Sequence, residues 1–376
     1  MRITIVGGGP GGLVAALAAR RRGMDVEILE QASAVRAVGS GIVLWTNALR
    51  MLATLGLDGA VRDAGAVIHE GRMERADGTL LKRIDFRPVQ ERYGQPSVAI
   101  HRGVLSTLLE AALPADAVRL SARVEATGDG QLVCGGEVVE GDVVVGADGI
   151  HSEVRRAVVG TVAPRYAGYT AWRGISAVSP LPPGVSVERW GRGRRFGIVP
   201  IGAGRTYWFG TEGGPPRGAD PDDDQDQLLA RFAEFGPDVA DLVRATARVD
   251  ILRNDIVDLP PLVRWHRDRF VLLGDAAHAM TPNLGQGACQ AVEDAVCLAA
   301  ALERHPADRD AAFFAYTRER TDRARLLQRL SDRFGNVGQW SNPVLATIRD
   351  AAFRLVPSAL VQRNLEALYA VEVPLH

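Results

Sequence analysis

The first thirty residues alternate between two kinds of apolar pattern. Arg2 to Val6 is a β-branched run too short for a helix and predicts a buried strand. Leu13 to Arg22 is rich in alanine and leucine and predicts a helix, and Met24 to Glu30 predicts a second strand. Val67 to Gln90 alternates and turns at Asp77-Gly78. Tyr169 to Ile175, Val185 to Trp190, Arg195 to Pro200 and Thr206 to Gly210 read as strands separated by Gly and Pro turns. Gly213 to Gln225 is a polar loop, Gln225 to Ala247 predicts one or two helices, and a late strand begins at Arg248. Phe270 to Leu273 is a short strand, followed by a helix from about Ala288 to Leu302. Thr317 to Phe334 predicts a charged helix with a solvated face, and Phe353 to Leu368 a small terminal helix. The whole is an α/β pattern.

Composition narrows the function classes. Apolar residues make up 47% of the 376-residue chain, enough for a large core. The net charge of -1 gives no reason to expect nucleic acid or an anionic membrane as partner. Lys82 is the only lysine, so most of the many arginines are expected to be surface charge. Cys134, Cys289 and Cys297 match no metal or disulfide spacing and suit a reducing, cytoplasmic compartment; no metal is expected. No run of 18 apolar residues occurs, so stable membrane insertion is not expected. Charge at Arg2 and at Arg20, Arg21 and Arg22 assigns the early apolar run to a strand and helix rather than a secretory signal.

Between the first strand and helix stands Gly7-Gly8-Gly9-Pro10-Gly11-Gly12, a G-x-G-x-x-G fingerprint at Gly7, Gly9 and Gly12. Gly7 permits the tight turn, Gly9 lets the backbone approach a pyrophosphate, and Gly12 lets helix and sheet pack closely. Gly11 belongs to the same amide-rich turn, where the helix N-terminus meets phosphate charge. Glu30, with Gln31 beside it, ends the second strand where a carboxylate can accept hydrogen bonds from a ribose diol. The pattern specifies a dinucleotide and leaves NAD and FAD open.

The late segment Gly274-Asp275-Ala276-Ala277-His278, continuing through Pro282 and Asn283 to Gly285-Gln286-Gly287-Ala288, points to flavin. Asp275 at a strand end can hold ribityl or ribose hydroxyls. The glycines opening the next helix bring bare amides to an electron-rich ring edge. In an FAD site that edge is the pyrimidine end of the isoalloxazine.

Together with Asp142 to Arg155, which contains Asp148-Gly149, these motifs resemble the single-component FAD-dependent aromatic hydroxylases, with the para-hydroxybenzoate hydroxylase fold, nearest their salicylate and urate hydroxylase-like branches. The resemblance implies a Rossmann-like FAD-binding domain over residues 1–68, 98–160 and 266–330. An inserted mixed β-sheet substrate domain spans 69–97 and 161–265, and a C-terminal helical segment 331–376. It implies that Asp148, Asp275 and Arg102 serve FAD, with Gly39 to Leu44 and then Asn47 running under the flavin. The resemblance further implies that NADH or NADPH would reduce the FAD, and that a flavin C4a-hydroperoxide formed with molecular oxygen would hydroxylate a small aromatic or heteroaromatic substrate. By the same resemblance Pro282 is expected over the flavin, with Gly285, Gln286, Gly287 and Ala288 at the amide-rich end.

Rigid aromatic surfaces at Trp45, Trp172, Trp208 and Phe209 are the expected substrate lining. Arg195 is the candidate cation for an anionic substrate, as in the urate hydroxylase branch. That branch has an acid where this chain has Asn283, which argues against urate itself. His278 is open between proton transfer and loop support. The alternatives are a flavin reductase that inserts no oxygen and a non-catalytic flavin binder; a monomer or a homodimer fits either.

Overall fold

The computed structural model describes residues 1–34, 40–127, 131–216, 218 and 225–374. Gly39 and part of the loop expected between Gly213 and Gln225 lie outside them. Ile3 to Val6 are all buried, as a central parallel strand covered on both faces requires. This strand, Arg2–Val6, pairs in parallel with Asp25–Leu29 on one side and Val143–Gly146 on the other. Phe270–Leu272 extends the sheet beyond Val143–Gly146. Six strands result, edged by His266–Arg267 and Val118–Arg119. The helix Pro10–Arg21 returns across this sheet and packs on the 18-residue helix Gly287–Arg304.

A seven-stranded sheet stands against this unit, in the order Leu252–Asp258, Arg165–Ser176, Thr206–Gly213, Arg194–Pro200, Val185–Trp190, Glu70–Arg75 and Leu80–Asp85. All neighbours are antiparallel except Val185–Trp190 with Glu70–Arg75. Strand side chains alternate between faces, and here the two faces have different fates. One carries Trp172, Phe196, Ile198 and Trp208 into a core closed by Phe232, Phe235 and the helix Pro237–Arg244. The other, with Ala171, Arg195, Tyr207 and Phe209, lines a cavity.

The helical regions refine the sequence expectations. The helix expected over Thr317–Phe334 spans Arg309–Gly338, capped by Asp308, whose carboxylate accepts the Ala311 amide at 2.9 Å. Its face is not uniformly solvated: Tyr316, Arg320, Ala324 and Leu327, at helical spacing, are all buried. The single terminal helix is two, Pro343–Leu355 and Ser358–Tyr369, interrupted at Pro357, which has no amide to continue the ladder. Among the described residues no helix is long and apolar enough to cross a membrane.

Candidate active site

A cavity of about 450 Å³ lies between the two units. The dinucleotide-type unit contributes Gly9, Gly11, Arg102, Asp275, Pro282, Asn283, Gly285, Gly287 and Ala288 to its lining, and the seven-stranded sheet contributes Arg195 and Phe209 among others. A second hollow of about 540 Å³ lies against the far edge of the six-stranded sheet. There Arg2 pairs with Glu27 at 3.4 Å and Glu140 at 3.7 Å, so its charges satisfy one another.

The glycine loop passes a direct test for a bound phosphate group. A Cβ on Gly12 would stand 2.0 Å from the Gly7 carbonyl oxygen, so packing alone demands glycine there. Gly9 is different. Its φ is -70°, open to any residue, and a Cβ on it would meet nothing within 4 Å. Neither backbone nor packing requires glycine at this position, which faces the cavity at the start of a helix with no acid in its first turn. A pyrophosphate approaching the amides accounts for it. Asp275 likewise opens onto the cavity, with no hydrogen bond from any described residue, where ligand hydroxyls can meet it. The residues fit FAD.

Several of the expected site residues make contacts within the protein itself. The carboxylate of Glu30 braces the loop, accepting the Gly8 amide at 2.6 Å and the Ala32 amide at 2.8 Å, and Gln31 beside it is exposed to solvent. Asp148 caps the helix Glu153–Val159, accepting the Glu153 and Val154 amides at 2.8 and 3.2 Å; burial pushes its carboxyl up. Its neighbours Ala147 and Gly149 line the cavity instead. The Gln286 side chain is buried, its Oε1 accepting from Asn47 and Gln290 at 3.0 Å each, so only its backbone belongs to the helix opening. Trp45 stacks on Tyr369 with ring centroids 5.6 Å apart and sits outside the lining. Trp172 and Trp208 fall on the core face of their strands, one residue out of phase with Ala171 and Phe209, and do not reach the cavity.

The substrate-side wall centres on Arg195, which is 2% exposed. Its Nη1 donates to Glu188 Oε1 at 3.1 Å and its Nη2 to Asn283 Oδ1. Asn283 Oδ1 also accepts from the Tyr169 hydroxyl at 3.1 Å, while its Nδ2 donates to Thr281 Oγ1 and the Ser331 carbonyl. The seven-stranded sheet is thereby tied to the Pro282–Asn283 loop. Sequence reasoning missed Glu188, although an acid alternating with Val185 and Val187 on a buried strand was a signal.

It also missed the braces behind the site. Glu293 and Asp294, adjacent acids in the apolar helix Gly287–Arg304, are fully buried. Arg320 contacts Glu293 at 2.5 Å and Asp294 at 2.7 Å, and Asn47 donates to Glu293 at 2.6 Å. His278 is buried with its Nε2 2.6 Å from Asp294 Oδ2, away from the cavity, which gives it a supporting position. Two neighbouring acids inside an apolar helix were the legible sign.

The fold and this cleft define a flavoprotein in which a seven-stranded sheet faces the glycine-loop unit across the cavity. The FAD binding domain family matches residues 1–331, and the chain belongs to that family. The aurachin C monooxygenase/isomerase of Stigmatella aurantiaca is 40% identical over 97% of this chain and 98% of its own length. The 3-amino-4-hydroxybenzoate 2-monooxygenase of Streptomyces cremeus is 37% identical over 89% and 88%. The structure of Klebsiella pneumoniae HpxO complexed with FAD and uric acid superposes with a TM-score of 0.88 at 29% identity, covering 98% of this chain and 96% of that one. The protein is an FAD-dependent monooxygenase.

Proposed function

We propose that the chain hydroxylates a small aromatic or heteroaromatic substrate that carries or develops negative charge. The observation that carries this reading is the position of Arg195: a buried guanidinium in the cavity wall, hydrogen-bonded to the residue that follows Pro282. A cation in such a wall strengthens as water is excluded and favours a phenolate-like oxygen on the substrate. Phe209 and Tyr207 supply flat apolar surface beside it.

When bound, FAD supplies the two-electron chemistry and the activation of oxygen. The chain's own part is placement. Gly9 and Gly11 would hold the pyrophosphate, Asp275 would receive hydroxyls, and the amides opening the helix Gly287–Arg304 would serve the electron-rich end of the ring system. Pro282 and Asn283 line the cavity between the two units, and Asn283 holds the Arg195 guanidinium in its wall. A reducing, cytoplasmic location suits three buried, unpaired cysteines.

The test is oxidation of NADH and NADPH by FAD-loaded protein against phenols, hydroxypyridines, quinolines and purines under labelled oxygen. Label retained in an organic product is the expected result. Product formed equally well without oxygen would replace this reading with a reductase.

A further inference from the structure

Glu188 is the carboxylate that stands beside Arg195 in the cavity wall. Glu188 stands on the strand Val185–Trp190, whose Trp190 pairs directly with Arg195 across the hairpin. Its Oε1 is held twice, by Arg195 Nη1 at 3.1 Å and by Trp190 Nε1 at 3.0 Å. Its Oε2 accepts no hydrogen bond from any described residue, and 24% of its side-chain surface is open on a residue that lines the cavity. The second oxygen is not sealed in the protein, so a ligand donor entering the cavity can reach it. One oxygen fixed and the other left toward the cavity is the geometry of an acceptor awaiting a ligand donor. Asn283 does not compete for this part, since its Oδ1 already accepts from Arg195 and Tyr169.

Building on the hydroxylase reading above, we propose that Glu188 is a catalytic residue that accepts an acidic N–H or O–H of the substrate and takes its proton, while Arg195 receives the resulting anion. The substrate class narrows to a phenol, or to a hydroxylated or lactam nitrogen heterocycle, whose ring N–H or O–H ionises. In this step the heteroatom–hydrogen bond breaks and the Glu188 Oε2–H bond forms. The electron pair stays on the ring heteroatom, and nothing is oxidised or reduced.

Charge in the wall is conserved. Before transfer Arg195 is paired with the Glu188 carboxylate. Afterwards Glu188 is neutral and Arg195 faces the ring anion, so the cation is released to the substrate at the moment the substrate ionises. The ring gains the electron density that hydroxylation demands. Burial pushes the Glu188 carboxyl above its ordinary range, with Arg195 offsetting only part of the effect, which makes it a better proton acceptor than a surface glutamate.

The experiment uses the full FAD-loaded chain and ring-matched pairs: a phenol, a hydroxypyridine and a hydroxyquinoline, each with its O- or N-methylated partner. Binding is read from the change in flavin absorbance, and kcat/KM from labelled product. The wild type is expected to prefer the unmethylated member by about 100-fold, because a site that reads a hydrogen-bond donor rejects the analogue lacking it. Glu188→Gln is expected to cut kcat/KM on the unmethylated member about 100-fold more than on the methylated one, at unchanged FAD content. An equal loss on both members, or no loss on either, would overturn the assignment. If Glu188→Gln does not fold, the wild-type preference decides, and its absence overturns the assignment too. Labelled product without methyl discrimination removes the role of Glu188 alone. No binding and no label from any ring removes the aromatic-substrate reading together with it.

Discussion

Asp294 accepts the backbone N–H of Gly274 at 2.9 Å, so a carboxylate in the middle of a buried helix fixes the turn from which Asp275 projects into the cavity. The same carboxylate is 2.7 Å from Arg320, which also engages Glu293, and Glu293 binds Asn47 beside Gln286 at the helix opening. Both cavity-lining features, the Asp275 turn and the amide-rich helix end, therefore hang on one ionic network anchored in the helix Arg309–Gly338.

Removing one member of a buried ionic network strands the others. Asp294→Asn is expected to destabilise the protein by about 3 kcal/mol, and to weaken FAD binding although Asp294 does not line the cavity. Denaturant unfolding and FAD titration of the variant check both effects. Normal FAD affinity at reduced stability would separate the network from the turn.

The network also sets an acid limit. Burial opposes ionisation of Asp294, but His278 and Arg320 beside it outweigh that and hold its pKa down to about 2. A carboxyl depressed in the folded state contributes stability that is complete above its unfolded value of about 3.9, and that is lost as the pH falls through about 2. Glu293, held low by Arg320 and Arg323 against burial, adds in the same direction. Midpoints of unfolding followed from pH 6 downward are expected to fall most steeply below about pH 4 for the wild type, and the gap between wild type and Asp294→Asn to shrink there.

How much of this was legible in the sequence follows the range of each interaction. The tight turn at Gly7 and the close packing at Gly12 act through local backbone, and their spacing in the sequence announced them. Trp172 and Trp208 were misplaced because size was weighed and strand phase was not; a one-residue offset sends a side chain to the opposite face. Phe209, the least bulky of those choices, is the one on the cavity side. The contact of Arg195 with Asn283, and the ring of Asn47, Glu293 and Arg320, join segments far apart in the chain, and no local pattern encodes such pairing.

Two alanine substitutions in the glycine loop are expected to fail differently. Gly12→Ala forces a Cβ against the Gly7 carbonyl oxygen and is expected to unfold or grossly destabilise the N-terminal unit. Gly9→Ala meets no protein atom within 4 Å. It is expected to leave the thermal midpoint of the FAD-free chain unchanged while lowering FAD affinity at least about 10-fold, or about 1.4 kcal/mol. Calorimetry without FAD and fluorescence titration with it distinguish the two. Unaltered FAD affinity in Gly9→Ala would remove the pyrophosphate from this loop.

Strand phase makes a paired prediction. Trp208 Nε1 donates to Thr246 Oγ1 at 2.9 Å within the core, so Trp208→Phe is expected to lower stability by about 1–3 kcal/mol and leave KM for the substrate unchanged. Phe209→Ala, on the other face, is expected to raise KM and divert reducing equivalents to peroxide, with a smaller loss of stability. Reversed outcomes would mean that the substrate occupies the other side of the sheet.

Arg195→Lys tests whether the wall needs a guanidinium or merely a positive charge. Arg195 uses separate nitrogens for Glu188 and Asn283, and a single ammonium cannot reproduce that planar fork while presenting a further donor to a ligand. Gly338 packs so closely on the Arg195 stem that an added Cβ would stand 2.7 Å from Cδ, so the chain has little freedom to compensate by shifting. The lysine variant is expected to bind FAD normally and to be reduced by NAD(P)H, while kcat/KM for product falls about 10–100-fold. Peroxide is expected to rise as product falls, because a poorly anchored ring fails to intercept activated oxygen. Product and peroxide measured together against NAD(P)H consumed are the decisive quantities. An unchanged ratio with lowered affinity would make Arg195 a binding group alone, and no change in either would place the substrate away from this wall.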